Sequence, residues 1–303
     1  MSISLLHFML IHVILRALNK DLAKQTTFRL KGGKNQMWGA VIGDLAGSTY
    51  EYSQTKKIEP VLVSDLITDD SFFTDDTILT VAIYDAIREG KDPDYEKVLR
   101  QYGERYIDSS PETSFQNHFH GYFGGNFVRW IKREAAGNSI GNGAMMRISG
   151  IGKMFDTEEE VIKNAMLATI PSHHSTEAID CARTVALIIF YARKGLKKEE
   201  IREKLDLGVI EYKPFYQFNK TCYDTLNNCL YALFESMNFE DAIRKVLSYG
   251  GDTDTNAAIV GSMAEAIYGI PEYLVNQARK KVPTIFSYIL DDSYIRKVRC
   301  LKM

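Results

Sequence analysis

The chain has 303 residues, 45% hydrophobic and 25% charged, with a formal net charge of −2. That balance excludes a disordered or collagen-like chain and allows a large core. The charge is uneven: residues 1–36 hold six bases and one acid, so the body is acidic. An acidic body without a basic stripe speaks against direct nucleic-acid binding.

Residues Ile3 to Leu15 are apolar apart from Ser4, His7 and His12. A membrane-spanning helix needs about 20 such residues. A secretory signal needs a positive start and a small-residue cleavage site, and neither is present. The polar, basic stretch from Lys31 to Gln36 then leads into Met37. The expected organisation is an appendage over 1–36 and one compact domain over 37–303. The appendage reads as an upstream-start artefact, a weak targeting segment or a docking helix, in that order.

Helical periodicity dominates the body. In 76–89 the apolar positions Leu79, Ala82, Ile83, Ala86 and Ile87 share one face. The same pattern predicts helices over 177–194, ending at Gly195, and over 256–268, ending at Gly269 and Pro271. Segments 94–106, 157–169, 196–205, 221–236 and 239–248 also read as helices. Val61 to Ile67 is the best strand candidate and a weak one. Glycine clusters at 121–125 and 137–143 interrupt the helices. The fold class expected is all-α, in a single domain.

The cysteines, Cys181, Cys222, Cys229 and Cys300, show no CxxC and no zinc spacing. They are too few for a disulfide scaffold, which points to reduced thiols and a cytoplasmic setting. Cys181 lies in an apolar run and is expected in the core.

Five blocks carry possible chemistry. Thr74-Asp75-Asp76-Thr77 precedes an apolar helix and reads first as an N-cap. Thr68-Asp69-Asp70 opens no periodic helix and reads as a surface loop. Gly250-Gly251-Asp252-Thr253-Asp254-Thr255 also opens a helix, but a cap needs one oxygen-bearing side chain, not four in a row. Two such acidic turns, if they converge, bring enough carboxylates for two hard cations. Asp44 and Glu51 lie in a glycine-punctuated segment whose plain reading is a helix with surface acids. The loop Asn138-Ser139-Ile140-Gly141-Asn142-Gly143 could offer backbone amides to phosphate or be a simple turn. Ser172-His173-His174 stands before the 177–194 helix, with nothing nearby that suggests zinc.

In this order the blocks resemble the ADP-ribosylglycohydrolase family, over about Met37 to Ile270. The resemblance rests on Gly39 to Glu51, Phe73 to Thr77, Gly141 to Arg147, Ser172-His173 and Gly250 to Thr255. It implies a compact orthogonal helical domain with a binuclear cleft holding two Mg²⁺ ions, or Mn²⁺. Thr74, Asp75, Asp76, Asp252, Asp254 and Thr255 would be the metal ligands. Glu51 would face the ribose for acid–base work, with Asp76 and Asp254 at the reacting centre. Asn138, Ser139, Ile140, Gly141, Asn142 and Gly143 would hold the diphosphate, and His173 would touch the ligand. Bacterial relatives often carry a second histidine two places on, where this chain has Ser175.

The resemblance implies a hydrolase that removes ADP-ribose from an acceptor, so its partner is an ADP-ribosylated substrate. The alternative is a non-catalytic ADP-ribose-binding or structural protein of the same fold, which could dispense with the ligands. A two-metal phosphoesterase would want a basic clamp around the motifs.

Overall fold

The structure is a computed structural model that describes residues 37–51, 65–90, 92–113, 121–213 and 219–291. These belong to one compact unit, Gln36–Met303. The appendage over 1–36 and Cys300 lie outside the described residues. Within them the fold is all-α, as expected, with isolated β bridges that pair Asn138 with His173 and Gly141 with Thr221.

In chain order the helices are α1 Gly39–Gly47, α2 Asp75–Glu89, α3 Tyr95–Tyr106, α4 Gly125–Ile131, α5 Gly143–Met146, α6 Ser149–Met154 and α7 Glu158–Thr169. Then follow α8 Thr176–Arg193, α9 Lys198–Lys204, α10 Cys222–Phe234, α11 Phe239–Ser248, α12 Thr253–Tyr268, α13 Glu272–Ala278 and α14 Thr284–Leu290. The starts follow capping chemistry. The side chains of Thr74, Asp94, Thr157, Ser175, Thr221 and Asn238 each accept a backbone N–H from the first turn of the helix they precede. Glu160 completes a capping box with Thr157. Asp65 to Ile67 is irregular rather than extended, and 61–64 lie outside the described residues. Thr68, Asp69 and Asp70 are exposed in a turn, as expected of a surface loop.

The core is organised by α1 against α12, the most extensive helix pair in the fold. All nine residues of α1 are buried, as are Thr253 to Ala264 of α12. Gly39, Gly43 and Gly47 recur every four residues and so line one stripe of α1. A Cβ on Gly39 would lie 2.2 Å from the Gly261 carbonyl oxygen. On Gly43 it would lie 1.9 Å from the Ala257 oxygen, and on Gly47 2.3 Å from the Thr253 oxygen. The pairing runs antiparallel and leaves no room for side chains. It therefore brings the C-terminal end of α1 against the N-terminal turn of α12. The Thr253 hydroxyl donates to the Gly47 carbonyl at 2.9 Å and closes that end.

Around this pair, α2 packs on α1, α3 and α6, while α8 packs on α6, α7 and α12. Cys181 of α8 is buried in the same core, as its apolar setting predicts.

Candidate metal centre

The acidic turns converge where α1 ends and α2 and α12 begin. Asp44 is fully buried on α1, not at the surface as the plain reading of its segment expects. It accepts from the Thr74 amide and hydroxyl, both at 2.9 Å. It also accepts from the Thr77 amide at 3.1 Å and the Thr77 hydroxyl at 2.5 Å. Burial and the Asp254 charge nonetheless push its carboxyl up to about 7, against the bonds from Thr74 and the Thr77 hydroxyl.

Thr74 is the N-cap of α2, its hydroxyl oxygen accepting from the Asp76 amide at 3.3 Å. The capping reading thus holds, and the same turn aims Asp76 into the cluster. Asp76 Oδ2 accepts from the Thr255 hydroxyl at 3.2 Å, while its Oδ1 is buried with no hydrogen-bond partner.

At the start of α12, Asp252 occupies the N-cap position but its side chain caps nothing. Its Oδ2 accepts instead from Asn142 Nδ2 at 2.8 Å, and its amide donates to Asn219 Oδ1 at 2.9 Å. Asn219 in turn donates to Thr225 Oγ1 and Asn256 Oδ1, at 2.7 and 2.9 Å. These asparagines secure the turn through neutral groups, and they take up only one Asp252 oxygen, through Asn142.

Two groups of carboxylates have oxygen atoms within 4.8 Å of one another: Asp44 with Asp76 and Asp254, and Glu51 with Asp252 and Asp254. Asp254 is common to both. Asp75, Asp76 and Asp252 are raised well above the carboxylate range by burial and then by the Asp254 charge. Glu51 is half-buried and pushed up to about 10 by burial, then by Asp254, Asp252, Asp75 and Asp44. Mutual repulsion of this kind is relieved by protons or by cations.

The sequence-predicted residues are mostly brought together. Thr74, Asp76, Asp252, Asp254 and Thr255 are joined by the contacts above, and Glu51 stands among the possible ligands. Asp75 stands in neither carboxylate group and acts on the others through its charge. Asp44 joins the cluster in a place its motif alone did not assign. A lone carboxylate inside a helix of glycine and apolar residues is the signal for it.

The loop 138–143 reaches the cluster through Asn142. Its amides of Ser139, Gly141 and Asn142 are already committed, to the Ser172 carbonyl, Ser139 Oγ and the Lys220 carbonyl. Ile140 is half exposed. His173 is buried, with its backbone bridged to Asn138 and its Nε2 against Gly141 and Gly143. His174 is exposed, and Ser175 is the N-cap of α8.

The chain can be placed among known proteins. The ADP-ribosylglycohydrolase family model matches residues 29–297, beginning ahead of Met37. A protein of Acanthamoeba polyphaga mimivirus named as an ADP-ribosyl glycohydrolase is 28% identical, over 78% of this chain and 86% of its own length. The ADP-ribosylarginine hydrolase Tri1 of Pseudomonas putida is 25% identical, over 80% of this chain and 71% of its own. A solved ADP-ribosylglycohydrolase-related protein complex shares the fold, with a TM-score of 0.62 at 18% identity, covering 84% of this chain and 94% of that one. Among the described residues no helix is long and apolar enough to cross a membrane. With most of its length matched by the family model, the chain belongs to the ADP-ribosylglycohydrolase family.

Proposed function

We propose that this protein is a metal-dependent hydrolase that cleaves the glycosidic bond between ADP-ribose and an acceptor, reversing ADP-ribosylation. The observation that carries this reading is the position of Asp254, shared by two groups of carboxylates, one of which includes Asp76 with its buried, unpartnered oxygen. Such all-oxygen donor sets suit hard cations, and a shared carboxylate suits two of them.

The residues present fit Mg²⁺ or Mn²⁺. Asp44, Asp76 and Asp254 would hold one ion, and Glu51, Asp252 and Asp254 the other, with Thr74 and Thr255 lending hydroxyls. When bound, the ions supply Lewis-acid polarisation at the anomeric end of the substrate. Asp75, outside both groups, adds its charge to the cluster.

The chain's own groups do the rest. Glu51 is the least buried carboxyl of the two groups, and beside bound cations it would stand as a carboxylate. It would take a proton from the attacking water and pass it to the departing acceptor. Asn142 belongs to the loop where the diphosphate would lie, and His173 borders it. Cleavage through an oxocarbenium-like state is the chemistry that carboxylates at this bond support.

The test is a panel of ADP-ribosylated acceptors incubated with the protein and Mg²⁺, with free ADP-ribose measured. ADP-ribosylarginine heads the panel, because two relatives bear that activity in their names. Release from at least one acceptor, lost in EDTA, is the expected result. ADP-ribose binding without release from any acceptor would favour the non-catalytic alternative.

A further inference from the structure

Arg147, Ser172 and His173 form a buried chain beside the loop 138–143, with exposures of 0%, 4% and 6%. Arg147 follows the short helix α5, and its Nη2 donates to the Ala168 carbonyl at 3.2 Å and to Ser172 Oγ at 2.7 Å. Ser172 Oγ lies 2.8 Å from His173 Nδ1. Burial brings the Arg147 guanidinium down to about 10, while the Asp75 charge pulls the other way.

Donor counting fixes the directions. A guanidinium has five donors and no acceptor, so the Ser172 oxygen accepts from Arg147. The hydroxyl has one hydrogen, which Arg147 cannot accept. His173 Nδ1 is the partner within reach. A hydrogen on Nδ1 would leave the hydroxyl hydrogen buried and unmatched, which folded proteins avoid. Nδ1 is therefore the acceptor, and the ring hydrogen sits on Nε2.

Nε2 looks into the loop. A Cβ on Gly143 would stand 3.5 Å from it, and one on Gly141 3.8 Å. Burial, and then the Arg147 charge, hold the imidazole well below its ordinary range, consistent with a neutral ring. The His173 amide donates to the Thr169 carbonyl at 3.0 Å, which fixes the ring's point of attachment.

We propose that Arg147 and Ser172 are positioning residues that lock His173 as a neutral Nε2–H donor facing Gly141 and Gly143, where it meets an acceptor oxygen of the bound ligand. The identity of that ligand rests on the ADP-ribose reading above, whereas the tautomer does not.

The experiment is long-range ¹H–¹⁵N correlation spectroscopy of the full chain with labelled histidine, His173 being assigned by its loss in His173→Gln. The expected spectrum shows His173 with nitrogen shifts of the Nε2–H tautomer. Ser172→Ala should move it toward a mixture of tautomers and weaken ADP-ribose binding about 3–10-fold by calorimetry. Ser172→Thr should restore both. Arg147→Met, which frees the Ser172 oxygen to accept, should also mix the tautomers. An Nδ1–H ring in the unaltered protein, or an unchanged ring in folded Ser172→Ala, overturns the proposal. The tautomer decides the relay, and the ADP-ribose affinity of the unaltered protein decides the functional reading separately.

Discussion

The Thr255 hydroxyl donates to Asp76 Oδ2 over 3.2 Å and joins two acidic turns that stand 179 residues apart in the chain. Each turn opens its own helix and could be read as a local cap. Joined, they enclose a set of carboxylates that no local role accounts for. The α1–α12 contact makes the meeting possible, because it puts Asp44 and Glu51 against the same turn of α12.

The shared position of Asp254 predicts an asymmetry between variants. Calorimetric titration of the apo protein with Mn²⁺ is expected to show two ions bound. Asp254→Asn should abolish both events, because both groups use it. Asp44→Asn should weaken one and leave the other. Equal effects of the two variants would mean that Asp254 is not shared.

Without cations, stability should fall as pH rises. The carboxyls of Asp44 and Glu51 are held at about 7 and about 10 in the folded state, and an unfolded carboxyl titrates near about 4. Between those values the folded state holds more protons than the unfolded one, so rising pH favours unfolding. Asp44 contributes from about pH 4 to about 7, and Glu51 continues toward about 10. In EDTA the melting temperature should be lower at about pH 8.5 than at about pH 6, and Mg²⁺ should narrow the gap. A melting temperature that rises with pH in EDTA would contradict this electrostatic picture.

Glu51→Gln separates proton transfer from binding. General acid–base groups contribute about 10²–10⁴-fold. Single-turnover release of ADP-ribose should slow within that range, while ADP-ribose affinity changes much less. If Mn²⁺ stoichiometry falls as well, Glu51 acts chiefly as a ligand. Near-normal turnover would remove it from the chemistry altogether.

The glycine stripe predicts where the scaffold is intolerant. Gly43→Ala places a Cβ 1.9 Å from the Ala257 carbonyl oxygen, on rigid backbone. Overpacking of this kind costs about 1–3 kcal/mol and sometimes more. Urea unfolding should register that loss, with metal affinity falling in step because Asp44 follows directly. Gly125→Ala, where a Cβ meets nothing within 4 Å, should change stability little.

The long helices were legible because their signals are local. The stripe of Leu79, Ala82, Ile83, Ala86 and Ile87 marks α2, and Thr74 marks its start. Gly195, at a φ of 94°, ends the run after Arg193 as its identity suggests. The short helices α4, α5, α6, α13 and α14 carried too few turns for a period to show. The helix over 256–268 begins three residues earlier, at Thr253, since hydrogen bonding to Asn142 and Asn219 lets Asp252 lead into it without capping it.

Sequence alone determined the residue types of the site and their grouping into short blocks. An aspartate beside an aspartate, or one between threonines at a helix start, is a local pattern that survives any fold. Tertiary structure decided which oxygens meet. It buried Asp44, left Asp75 outside both carboxylate groups and made Asp254 common to the two. It also turned Ser172 and Arg147 toward His173. The physical reason is the distance along the chain. Carboxylates on α1, α2 and α12 feel one another only after the glycines of α1 allow two backbones to touch; the four-residue glycine spacing permits that approach but does not name the partner helix.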